Sequence, residues 1–270
     1  MQVTTRSVLE KALWSSLCLV AVVGFSASLC AGKSREVSDV KGVFQGRYRA
    51  WREYCRQKAI FSRSDVPARL RCSNEKDPMF RYCQEIVELG PSVVPYVIEE
   101  MRKGVERRDL MADLLQIVVQ RVTRVNLHVV RGEEIKTGEW IWALEGFPRF
   151  EEKQPCARSK LWLRWWKEGR KQTPERFENL CNEWKALRGE GKEQEAWEKY
   201  ERIRDLGIVA LPCIVEKVEA GERWLIPALS YLTDNAVKPY AEPEECAAWW
   251  QHNRADWTIP EEATPEAEGK

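Results

Sequence analysis

Histidine is nearly absent: only His128 and His252 occur among 270 residues. Two histidines exclude a histidine-based zinc site and any redundant Ser-His or Cys-His pair. The chain also has no HExxH, P-loop, GxGxxG or GxSxG. The common metal, nucleotide and hydrolase signatures are therefore missing. Neither a cofactor nor a metal is expected, and no residue stands out as catalytic. Net charge is scarcely present either, at +1. Without residues 1–32, which hold Arg6, Glu10 and Lys11, the chain keeps 41 basic and 41 acidic residues (43 − 2 and 42 − 1). A neutral chain has no overall attraction to nucleic acid or an anionic membrane. After Ala31 there is no apolar run of membrane-spanning length.

The amino terminus holds the one long apolar run. Arg6 and Lys11 precede it, and it extends from Ala12 to Ala31. A basic region followed by an apolar one rich in small residues is the layout of a secretory signal. Cleavage after Ser28, Cys30 or Gly32 fits the small-residue rule. The same segment is long enough to remain as an anchor. Both readings, a signal peptide over 1–32 and an anchor over 12–31, place the rest of the chain outside the cytoplasm, in the periplasm or secreted. Leu29 is too bulky to precede a lipidated Cys30.

Nine cysteines occur, but there is no CxxC pair. Cys83 and Cys213 align with tyrosines across the repeat described next, which marks them as core positions. Cys55, Cys72, Cys156, Cys181 and Cys246 are free to pair, in no pattern that spacing determines.

The most informative feature is that repeat. Phe80–Gly104 (FRYCQEIVELGPSVVPYVIEEMRKG) and Trp197–Gly221 (WEKYERIRDLGIVALPCIVEKVEAG) superimpose without a gap at a shift of 117 positions (206 − 89). Phe80, Cys83, Ile86 and Leu89 make one helical stripe; Trp197, Tyr200, Ile203 and Leu206 repeat it. Gly90 and Gly207 follow, where a helix ends in a left-handed residue. A second helix starts near Val93 and near Ala210. Pro95 and Pro212 fit its first turn, and Gly104 and Gly221 end it. A third helix is expected from Arg107 to about Val122, and again from Arg223 to about Leu232. Each copy closes with a tryptophan helix: Trp165, Trp166 and Arg170 align with Trp249, Trp250 and Arg254. Each opens with an aromatic one: Tyr48, Trp51, Tyr54 and Cys55, then Phe177, Leu180, Cys181 and Trp184. The expected core includes Ile86, Leu89, Val94, Val97, Ile98, Ile203, Leu206, Leu211, Ile214 and Val215.

The phrases LGPSVVPYVIEEMRKG and LGIVALPCIVEKVEAG are similar to the core of HEAT repeats, and the closing WW helix resembles that of bacterial envelope HEAT-like proteins. The resemblance covers about residues 76–122 and 193–233. It implies an all-α fold, a short α-solenoid of about eight helices. Module 1 would span 41–172, with an insert at about 125–158 that adds a small β-hairpin. Module 2 would span 173–258, and a disordered acidic tail 259–270. The resemblance is nearly silent on activity. That family mostly supplies scaffolding and binding surfaces for proteins and peptides.

Tryptophan is over-represented, at 13 residues. Trp165, Trp166, Trp249 and Trp250 recur symmetrically, which favours packing. Trp140 and Trp142 lie in the unshared insert, where i, i+2 spacing puts both on one face of a strand. They are the candidate contacts for a ligand or partner. Glycoside hydrolysis needs two carboxylates about 5–10 Å apart in one cleft. The adjacent glutamates here, such as Glu133-Glu134, diverge on a helix, and the repeat-matched Glu99 and Glu216 are surface positions. The arginine-rich front and the acidic end, from Glu242 on, read as solvated faces. Two functions are weighed. The first is a non-enzymatic extracytoplasmic scaffold that binds a protein partner. The second is an envelope module that binds carbohydrate or peptidoglycan through exposed tryptophans.

Overall fold

The computed structural model describes residues 39–61, 71–127 and 156–261. All but Asp39 belong to one compact unit, Val40–Lys270. Ten α-helices and no strand form among the described residues. The fold is all-α there, with ten helices rather than about eight. The expected hairpin, Trp140, Trp142, His128, residues 1–32 and most of the acidic tail lie outside the described residues.

Helix α1 (Val40–Gln57) buries Phe44, Tyr48, Trp51 and Cys55 along one stripe. Helices α2 (Pro78–Val87), α3 (Val94–Arg107) and α4 (Met111–Thr123) follow, then α5 (Ala157–Lys167). The second half repeats that order with α6 (Thr173–Gly189), α7 (Glu193–Asp205), α8 (Leu211–Glu219), α9 (Ile226–Leu232) and α10 (Pro243–Trp257). Each repeat glycine leads into a short 3-10 turn, Pro91–Val93 or Gly207–Ala210. The next α-helix then begins with the repeat proline, Pro95 or Pro212, in its first turn. Proline lacks the donor that a helix start leaves unused anyway.

Two apolar clusters fill the interior. The first gathers α1 to α5 around Trp51, Met101, Leu115, Trp162, Trp165 and Trp166. The second gathers α6 to α10 around Phe177, Ile203, Leu211, Ile214 and Leu229. Nine of the ten expected core residues are buried, whereas Leu89 is only half-buried against the first cluster. It lies two residues past the end of α2, in the turn before Gly90. The two tryptophan pairs both pack on a cluster, at different depths. Trp165 and Trp166 are buried because α5 lies against both α3 and α4. Trp249 and Trp250 stay half-buried on α10, which packs chiefly on α8. Ile259 packs against both clusters, so the chain is held there and not yet a tail.

Gly104 does not stop α3. The helix continues to Arg107, and Arg108 adopts the left-handed cap at φ 56°. Gly104 instead permits close helix packing, because a Cβ there would lie 2.8 Å from Ala112 Cβ on α4. Gly221 does follow the end of its helix, at φ 98°.

All seven described cysteines are free, and only Cys213 is not fully buried. Burial pushes the Cys181 and Cys55 thiols up to about 12 and the Cys83 thiol up to about 11. Thiols so placed are poor nucleophiles. In the native protein Cys213 should alkylate first, and the other six only after unfolding. Mass spectrometry of peptides after brief iodoacetamide treatment reads this directly. Equal labelling of Cys83 and Cys213 would contradict the packing.

Four arginines of the arginine-rich front make internal contacts. Arg47 donates to the Glu85 carbonyl, and Arg52 pairs with Asp109 at 2.9 Å. Arg56 pairs with Glu53, and Arg71 holds Asp77 at 2.7 Å. Asp77 in turn caps α2 by accepting from Met79 N–H. Of the carboxylates at the acidic end, Glu242 and Glu245 form the capping box of α10. His252 is an exposed residue of that helix.

Candidate functional site: an aromatic groove beside a polar one

Five aromatic side chains converge in the second half of the chain. Trp184 comes from α6, Trp197 and Tyr200 from α7, Trp224 from the 3-10 turn Arg223–Leu225, and Tyr231 from α9. Together with Pro227 they line an open groove of about 460 Å3. The antiparallel pair α6 and α7 packs closely along its length and sets two of the walls. Tyr200 and Ile203 point α7 into the core. Trp197, three residues before Tyr200, therefore sits at the edge of that stripe and not within it. It is 54% exposed, and Tyr231 is 51% exposed. These are two of the six large apolar residues left exposed among the described residues.

The rings are held in fixed orientations. Trp184 and Trp224 stack at 3.7 Å with an interplanar angle of 9°. Trp197 stacks on Tyr200 at 5.4 Å, and Tyr200 leans on Trp224 at 6.1 Å. Trp224 Nε1–H donates to Glu222 at 2.6 Å. Lys185 of α6 also pairs with Glu222, which ties the turn to the helix. Two arginines cover ring faces: Arg204 lies 3.7 Å above Tyr231, and Arg188 lies 5.8 Å above Trp184. Burial raises the Tyr200 phenol to about 12 despite the nearby Arg204.

The hydrogen bonds from Lys185 and Trp224 hold the Glu222 carboxyl below its ordinary range. A carboxyl with a lowered folded-state pKa stabilises fully above its unfolded value and loses that contribution as pH falls through the folded one. Tryptophan fluorescence should thus stay flat from about pH 8 to 5 and change below about pH 4. Glu222→Gln should abolish that change. An identical acid transition in the variant would show that Glu222 does not hold the platform.

A second groove, of about 1040 Å3, adjoins it, with Arg204, Pro227 and Tyr231 lining both. This neighbour is polar. Three arginines (Arg121, Arg124, Arg204) balance three carboxylates (Glu201, Asp205, Asp234), and four amides line it: Gln116, Gln120, Asn126 and Asn235. It lies where the two halves meet. Arg124, the left-handed cap of α4, donates to the Tyr231 carbonyl at 2.9 Å and pairs with Asp234. Asn126 N–H donates to the Asp205 carbonyl at 2.9 Å, and its side chain donates to the Asp205 carboxylate at 3.2 Å. The position of Tyr231 therefore depends on both halves of the molecule.

No family model, curated protein or solved structure matches the chain. Among the described residues no group of three or more His, Cys, Asp or Glu could hold a metal ion. No helix among them is long and apolar enough to cross a membrane. The candidate contacts Trp140 and Trp142 fall outside the described residues. The groove uses other aromatics, and sequence reasoning placed two of them, Trp197 and Tyr200, in a buried stripe. Five aromatics between 184 and 231 are no denser than the 10% average of the chain, so their number gives no signal. Their convergence gives none either, since no single spacing relates them.

Proposed function

We propose that this chain is a non-enzymatic, extracytoplasmic HEAT-like α-solenoid that works by binding, and that its ligand is a saccharide of the cell envelope. The observation that carries this reading is the aromatic groove adjoining an electroneutral, amide-lined one. Sugar rings offer an apolar C–H face and a periphery of hydroxyls. Exposed tryptophan and tyrosine rings suit the first, and planar amides, carboxylates and guanidiniums suit the second. The repeated element order with its proline-started helices supports the solenoid reading. The amino-terminal signal or anchor supports the location. The charged groups along the grooves are engaged with one another, Arg188 with Glu193, Arg204 with Glu201 and Arg124 with Asp234. That favours binding over catalysis.

A second reading, a protein partner, is favoured by the groove's composition. Tryptophan, tyrosine and arginine are the residues that dominate protein interfaces. The two readings separate in one experiment. The tagged protein is incubated with solubilised envelope from its own cells, and retained glycan and protein are analysed. Glycan should be retained, and Trp197→Ala should reduce it at least about tenfold without changing the circular-dichroism melt. A single retained protein, lost in the same variant and without glycan, would establish the second reading instead.

A further inference from the structure

The two grooves share a wall, and this limits what can fill them. We infer that they form one binding track for a neutral oligosaccharide several sugar units long. The inference rests on the saccharide reading above and adds the ligand's charge and length.

The charge follows from the lining. In the polar groove three guanidiniums and three carboxylates share the lining, so the formal charge is zero. An anionic chain would meet Glu201, Asp205 and Asp234, and a cationic one would meet Arg121, Arg124 and Arg204. In the aromatic groove the ring faces of Trp184 and Tyr231 already carry arginines. A cationic ligand would compete with them for the same faces. A neutral ligand with many hydroxyls meets neither penalty, and the mixed lining can donate to it and accept from it.

The length follows from the geometry. The grooves measure about 460 and about 1040 Å3 and share Arg204, Pro227 and Tyr231 as lining. One site of about 300–1,000 Å3 already encloses a drug-sized ligand. A disaccharide would therefore occupy the aromatic part alone. A longer chain would stack its first units on the exposed Trp197 and lay its later units past Tyr231 and Gln120. Both grooves are open to solvent, which suits a chain passing along them better than a closed monosaccharide pocket.

Calorimetric titration of the full chain tests this. The ligands are neutral oligomers of glucose, mannose and N-acetylglucosamine with two to six units, and an oligogalacturonate of matched length. At least one neutral series should bind, with affinity rising at least about tenfold from dimer to hexamer. The oligogalacturonate should bind more weakly than the neutral hexamer. Trp197→Ala should weaken every length. Gln120→Ala should weaken the hexamer about fivefold and leave the dimer unchanged, which also shows that the variant is folded. A dimer as tight as the hexamer, or a preferred oligogalacturonate, would overturn this inference and leave the saccharide reading standing. No binding by any oligosaccharide would overturn both.

Discussion

Gly207→Ala should lower the free energy of unfolding by about 4 kcal/mol. Gly207 has φ +68°, and a Cβ there would lie 2.3 Å from the Thr123 carbonyl oxygen and 2.6 Å from Val125 N. Both obstacles are backbone, so no side chain can swing aside. The added methyl would push the end of α4 away from the start of the Gly207–Ala210 turn. The neighbouring hydrogen bond from Asn126 to Asp205 would stretch with it. Gly191 supplies the control. Its φ is +74°, but nothing lies within 4 Å of a Cβ built there. Gly191→Ala should therefore cost only the left-handed penalty, about 1 kcal/mol. Urea melts of the two variants separate the effects. Equal losses would mean that the close approach of the two halves at Gly207 is not real.

Leu206→Asp should cost at least about 4 kcal/mol, combining a lost core side chain with an unpaired buried carboxylate. The repeat equates Leu206 with Leu89, and sequence alone expects the two to suffer alike. The structure separates them. Leu206 is 7% exposed within the second cluster, whereas Leu89 only leans on the first. A carboxylate at 89 can reach water, so Leu89→Asp should cost about half as much or less. Circular-dichroism melting of both variants decides this. A larger loss at 89 than at 206 would reverse the assigned depths.

The repeat makes most of the helical order legible. The stripe Cys83, Ile86 with Tyr200, Ile203, and the prolines at 95 and 212, each encode a local event. A helix face needs an apolar side every third or fourth residue, and a helix start tolerates proline. Such signals act over a few residues and survive in a single sequence. Gly104 shows where local signals mislead. A glycine after a helical stripe reads as a stop, yet α3 runs through it. The reason is Ala112, in the first turn of the next helix, α4, which needs the space a side chain would take.

The groove was less legible for the same reason. Trp197 and Tyr200 share a stripe in the sequence, yet one is exposed and the other buried. Their difference depends on how α6 crosses α7 and on where the Arg223–Leu225 turn delivers Trp224. Tyr231 is fixed by Arg124, 107 residues away along the chain. No periodicity links those positions.

The sequence by itself determined that the described chain is helical, where the proline-started helix of each copy begins and most of the residues that it buries. These follow from dihedral preferences and apolar spacing within single elements. Only the tertiary structure decided which aromatics stay in solvent, which arginines are spent on internal partners and that a polar groove adjoins an aromatic one. Those outcomes depend on contacts between elements far apart in the chain, where packing and charge pairing select one arrangement among many compatible with the same helices.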